Sequence, residues 1–193
     1  VYLDSDTDIR PVLLALVASA EFQDSAMQKV KTPVEDAIAT MNALGVEIAQ
    51  PQRPDDAANL FPILSRLMGQ VIYDWSTPDA FPDVASAWTS PGRLLGGTRV
   101  HWNAANATLP ATGITYRPPA AWMPQLPTTF DHVVDAVVRE ALLLPSTPTM
   151  LRAACVATGL SPLDMIDSQH SLLGPDFPRL MVTVLDSVEH LCR

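Results

Sequence analysis

Cysteine is almost absent: Cys155 and Cys192 are the only two thiols in 193 residues. That excludes a disulfide framework, and without a C-x-x-C pair it excludes the thiolate zinc and dithiol redox patterns too. Two states stay open for the pair, a disulfide joining two C-terminal helices or two buried free thiols on apolar faces. Charge is also scarce, at 17% of residues, and it has the wrong sign for nucleic acid, with 12 Lys and Arg against 21 Asp and Glu for a net charge of -9. Such a field repels phosphate backbones and anionic lipid, so nucleic acid is excluded as a partner. Disorder is excluded from the other side, because 48% of the residues are hydrophobic and supply ample material for a core. The longest apolar run, Pro11 to Ala18, falls far short of the roughly 18 to 20 residues that a membrane-spanning helix needs.

Reaction signatures are missing as well. There is no G-x-S-x-G elbow, Walker loop, G-x-G-x-x-G or H-E-x-x-H, so no motif assigns a reaction. His101, His132, His170 and His190 are scattered, and the expectation is that the chain holds no metal and no cofactor. Asp4, Asp6 and Asp8 alternate like the start of a calcium loop, but Ile9 stands where the sharp turn needs Gly and Ala15 where the bidentate Glu belongs. Those acids read as favourable charges ahead of a helix.

Helices are plentiful. Thr32-Pro33, Ser90-Pro91, Thr147-Pro148 and Ser161-Pro162 each place a hydroxyl acceptor at the cap and a preset φ at the next position, which predicts four helix starts. Thr32 with Glu35 forms a capping box, followed by Val34, Ala37, Ile38, Met41 and Leu44 at helical spacing up to Gly45. Leu60, Ile63, Leu64, Leu67 and Met68 make a second stripe, with Pro62 expected in its first turn. A third runs through Val134, Val137, Val138, Ala141 and Leu142. The most regular spans Phe177 to Leu191 and leaves Arg179, Asp186 and Glu189 outside. Near the N-terminus, Val12 to Val17 is apolar on most sides, which predicts a core helix. No segment alternates with period two. The predicted fold is therefore all-α, an irregular multi-helix bundle interrupted by two long loops. One, Gln70 to Asp83, is aromatic and acidic; the other, residues 106–128, is Pro-rich. This divides the chain into a layer at 1–105, a connection at 106–128 and a layer at 129–193, packed together as one domain.

The best candidate surface is the first loop. Tyr73, Trp75, Phe81 and Trp88 lie close in sequence to Asp74, Asp79 and Asp83, and aromatic faces beside carboxylates suit a sugar ring or a partner protein. Against this stands the plainer reading that the aromatics pin the loop to the helices while Asp83 caps the turn at Val84 to Trp88. His101, flanked by Trp102 and Asn103, is the one histidine singled out as a candidate.

Three segments carry a family resemblance. Tyr2-Leu3 with the helix ending Ala18-Ser19-Ala20-Glu21-Phe22 is the first. Lys29-Val30-Lys31-Thr32-Pro33-Val34-Glu35 through Ala43-Leu44-Gly45 is the second. The third is Met68-Gly69-Gln70, followed by Phe81-Pro82-Asp83 and Ala87-Trp88-Thr89-Ser90-Pro91-Gly92. In order and spacing they resemble the C-terminal half of the bacterial family catalogued as domain of unknown function number 1800. The chain departs from the family pattern at Ala80-Phe81 and at Tyr73-Asp74-Trp75. The resemblance implies an exported, extracytoplasmic protein, and with the start at Val1 it implies an N-terminal half upstream. It transfers no catalytic residues. Two functions follow as expectations: a binding or assembly module that presents the aromatic loop to a partner protein or glycan, or a secreted hydrolase of glycans or cell-envelope material completed by that upstream half.

Overall fold

The computed structural model describes every residue except Ser5, Ser76 and Thr77. Helices α1 (Ile9–Val17) and α2 (Ala20–Asp24) come first, and each is capped by a side-chain acceptor. Asp8 takes the Arg10 N–H at 3.0 Å and Ser19 takes the Phe22 N–H at 3.2 Å, as orphan donors at a helix start require. The expected burial of α1 does not occur. Neither helix has a buried residue, and Leu13, Leu14, Leu16 and Val17 are 52 to 64% exposed. An all-round apolar pattern shows that a helix needs covering, but not which surface covers it.

Helix α3 (Pro33–Ala43) forms with the predicted capping box, Glu35 N–H to Thr32 Oγ1 at 3.4 Å and Thr32 N–H to Glu35 Oε2 at 2.8 Å. Its stripe is shifted, however. Ala37, Met41 and Leu44 are buried, but Ile38 is exposed and the face toward the core carries Asp36 and Thr40. Helix α4 (Ala57–Leu67) begins three residues ahead of Leu60, so Pro62 sits in its second turn rather than its first. Leu64 and Met68 fill the core while Ile63 and Leu67 are exposed.

Helices α5 (Pro91–Ala105), α6 (Phe130–Leu142) and α7 (Pro148–Thr158) follow. Ser90 and Thr147 cap α5 and α7 by accepting the N–H groups of Arg93 and Met150, each at 3.2 Å. The fourth hydroxyl–proline pair opens no helix. Ser161 instead donates its N–H to the Asp164 carboxylate at 2.7 Å in a turn, a local side-chain bond that competes with helix formation. The single C-terminal helix is also interrupted, into α8 (Phe177–Leu185) and α9 (Val188–Leu191), because Ser187 Oγ accepts the His190 N–H at 3.2 Å and starts a new turn.

Two antiparallel two-residue ladders supplement this all-α fold. Strand β1 (Glu47–Ile48) pairs with β2 (Ile114–Thr115), and β3 (Thr128–Thr129) with β4 (Met165–Ile166). The Pro-rich 106–128 segment thus supplies structure as well as connection, and it seats Trp122, 4% exposed, in the interior. The core joins both helical layers, with Met41, Leu64 and Val100 meeting Phe130, Val134, Leu180 and Leu185. At the chain end Arg193 and Lys29 exchange backbone bonds of 2.8 and 3.1 Å, and Lys31 N–H reaches Leu191 O at 2.9 Å. This clasp holds α9 beside the start of α3.

Truncating Leu180, which is fully buried, to Ala should cost about 2 to 5 kcal/mol in urea unfolding. Leu13→Ala, on the exposed α1, should stay within about 0.5 kcal/mol. Equal losses would contradict the placement of these helices. Thr32→Ala should cost about 1 kcal/mol through the lost cap.

Candidate functional site

The densest polar chemistry lies under the surface, at the meeting of α3, α5 and the α8–α9 junction. Asp36 on α3 is wholly buried. Its Oδ2 accepts from Arg93 Nη2 at 2.7 Å, and its Oδ1 lies 3.1 Å from both His101 Nε2 and His190 Nε2. Thr40, one turn along α3, places its Oγ1 3.5 Å from the same oxygen and 3.3 Å from His190 Nε2. On the far side of His101, Nδ1 lies 2.6 Å from Asp186 Oδ1, and Thr98 Oγ1 donates to Asp186 Oδ2 at 2.9 Å. Local sequence explains the convergence. The capping box sets the phase of α3, Ser90 and Pro91 set that of α5, and the Ser187 cap breaks the last helix so that Asp186 and His190 both turn inward. Asp186 is therefore not on the outer face that its helical spacing suggests.

Burial penalises the charge on Asp36, but hydrogen bonds from His101 and His190, with the charges of His101 and Arg93, outweigh it and hold the carboxyl well below the usual range. Burial also opposes protonation of His101, yet bonds to Asp186 and Asp36 and their charges prevail and push its pKa up to about 9. For His190 burial wins, aided by the nearby charges of His101 and Lys31, and its pKa is lowered. The buried Asp36 carboxylate thus faces the Arg93 guanidinium and the His101 imidazolium, the pairing that makes buried charge tolerable. Arg93, with only 3% of its side chain exposed, keeps Nε and Nη1 without hydrogen-bond partners among the described residues. Space for that guanidinium depends on Gly97, where a Cβ would come within 2.7 Å of Nη1.

The aromatic loop is assembled differently from a row of open faces. Trp75, Phe81 and Trp88 pack against one another as tilted rings, with centroids 5.1 Å apart for Trp75 and Phe81 and 6.4 Å for the other two pairs. Trp88 is buried and donates its indole N–H to Pro82 O at 2.8 Å. Tyr73 stands fully exposed at a positive φ, beside exposed Asp74, while Trp75 keeps 39% of its surface. Asp83 does not cap the turn at Ala85–Trp88, which has no side-chain cap; it pairs with Lys29. Gln70, at the loop entrance, is buried and accepts the Val34 N–H at 3.0 Å, satisfying an orphan donor of α3. Cys155 and Cys192 are both free and half-buried. The other two histidines are peripheral. His132 is exposed, and His170 Nδ1 accepts the Leu172 N–H at 3.1 Å.

His101 was thus legible as a candidate, but Asp36, Arg93, Asp186 and His190 were not: Asp186 lies 85 residues from His101, and His190 lies 154 from Asp36. One signal was available: Asp36 breaks the apolar stripe of a helix whose other inward positions are Ala, Thr and Met. Asp36→Ala should destabilise by about 3 to 5 kcal/mol, because it strands buried positive charge. Asp83→Ala, which removes an exposed partner of Lys29, should leave stability nearly unchanged, because water screens that pair. Thermal or urea unfolding of both variants checks the contrast, and comparable losses would refute it.

Comparison with known proteins gives one family. No curated protein and no solved structure matches the chain. The model of the family described as protein of unknown function, DUF1800, matches residues 1–191, which is nearly the entire chain. The chain is a member of the DUF1800 family.

Proposed function

We propose that the chain is a binding or assembly module of an exported protein, and that its docking element is the N-terminal arm formed by α1 and α2. The observation that supports this reading is the exposure of Ile9, Leu13, Leu14, Leu16, Val17 and Phe22, each 47 to 64%, on two helices with no buried residue. Monomeric surfaces rarely keep so continuous an apolar face in water. Acidic residues frame the arm, with Asp4, Asp6 and Asp8 before it and Glu21 and Asp24 in α2. The occupant that suits it is a partner protein offering an apolar groove with a Lys- or Arg-rich rim, held by burial and chosen by charge. The exposed Tyr73 and Trp75 add an aromatic edge of the kind enriched at interfaces. A glycan ligand draws less support, since the Trp75, Phe81 and Trp88 rings already face one another.

The hydrolase reading has the Asp36, His101 and His190 cluster in its favour. Its weakness is access: all three side chains are between 0 and 2% exposed, and a substrate must touch the groups that act on it.

A synthetic amphipathic helix with a Leu face and a Lys rim tests the proposal. It should bind at least about tenfold more tightly than the same helix with a Glu rim, a difference of about 1.4 kcal/mol. The triple variant Leu13→Gln, Leu14→Gln, Val17→Gln should lose that binding while remaining folded. Equal affinity for both peptides, or coverage of the arm by a second copy seen as dimerisation in sedimentation, would overturn it.

A further inference from the structure

We infer that Asp36, His101 and His190 are the protein ligands of a divalent transition-metal ion of the zinc class, which ties α3, α5 and α9 together beneath the surface. One atom from each, a carboxylate oxygen and two imidazole nitrogens, lies within 4.8 Å of the others, and all three residues are buried. Both rings turn the same nitrogen, Nε2, toward one oxygen at 3.1 Å. Bonds of about 2.0 to 2.1 Å to a common tetrahedral centre place donor atoms about 3.3 Å apart, close to the 3.1 Å that separates each Nε2 from Asp36 Oδ1. Two imidazoles with one carboxylate suit Zn²⁺ and its neighbours better than Ca²⁺ or Mg²⁺, which prefer oxygen throughout.

The surroundings add independent support. His101 is gripped at Nδ1 by Asp186, itself steadied by Thr98. This is the outer carboxylate that fixes the ring and presents the Nε2 lone pair in histidine metal sites. Arg93 calls for an acceptor beside the site, such as a water or hydroxide carried by the ion. It neutralises the outer oxygen of Asp36, yet its buried Nε and Nη1 find no partner among the described residues. Fully satisfied structural networks do not leave such donors over. A cavity of about 200 Å³ lined by Arg93, Gly97, Thr98, His101 and Asp186 adjoins the cluster. It offers a water or hydroxide a place where Arg93 can donate to it. Thr40 Oγ1, close to both His190 Nε2 and Asp36 Oδ1, occupies the remaining side. As the ion enters, the His101 imidazolium gives up its Nε2 proton to solvent and neutral His190 presents Nε2 bare in the tautomer protonated at Nδ1, so one positive charge leaves as two arrive.

Co²⁺ used as a spectroscopic stand-in for Zn²⁺ tests the inference on the full chain after removal of metal with a chelator. Intense visible ligand-field bands are expected to saturate at one equivalent of Co²⁺ and to be lost on addition of Zn²⁺. The bands should survive in the double variant His132→Gln, His170→Asn, whose only histidines are His101 and His190. They should vanish in His190→Gln. Should His190→Gln fail to fold, the double variant carries the decision alone. A spectrum of hydrated Co²⁺ over folded wild-type protein, or bands that disappear with His132 and His170, would overturn the site. Docking by the N-terminal arm stands or falls separately, since neither α1 nor α2 contributes a ligand.

Discussion

The carboxylate of Asp36 is the constraint around which the rest is arranged. It is one negative charge with no exposed surface, and it survives there because four side chains, one from the next turn of α3, two from α5 and one from α9, converge on it. Each of those partners is itself difficult to bury. Arg93 needs Gly97 to make room, His101 needs Asp186 to balance its second nitrogen, and His190 needs the broken helix that Ser187 starts. An apolar core tolerates sliding and repacking, whereas a hydrogen-bonded charge cluster has one acceptable geometry. The cluster therefore sets the relative phase of α3, α5 and α9, with the aliphatic side chains packing around that arrangement.

The segments that carry the family resemblance serve this same arrangement locally. Thr32 and Glu35 close the capping box that starts α3, Gln70 reaches across from its Gly-Gln turn to take the Val34 N–H, and Glu35 also pairs with Arg193 at 2.7 Å. The Trp-x-x-Pro-Gly segment supplies Trp88, whose indole ties the loop to Pro82, and then Ser90 and Pro91, which start α5 two residues before Arg93. Residues that read as helix punctuation in the sequence are the ones that bring Asp36 and Arg93 within hydrogen-bonding distance. Motif and buried cluster are in this sense one device.

The N-terminal arm stands outside this device. Its helices satisfy their own backbone through Asp8 and Ser19 and bring no charged group to the centre, so their apolar faces are directed outward. The interior is thus held by the buried cluster, while the arm presents apolar side chains framed by acids.

Much of the fold was legible because its determinants are short-range. A capping hydroxyl, a proline and the next two turns of spacing decide whether a helix starts, and three of the four such pairs open helices at the predicted residue. Ser161 failed through equally local chemistry, since Asp164 offered its N–H a better partner. Of the candidate site residues, His101 could be noticed, but the sequence held no sign that it meets Asp36 65 residues away. Asp186 and Glu189 look alike on a helical wheel until Ser187 interrupts the helix. By itself the sequence determined the helical class, most of the helix starts, the two long loops and the family, because all of these rest on neighbours within a turn or two. Only the tertiary structure decided which face of each helix is interior, and so placed two carboxylates, two histidines and an arginine together. Burial energy depends on what lies opposite, and that partner comes from a distant part of the chain.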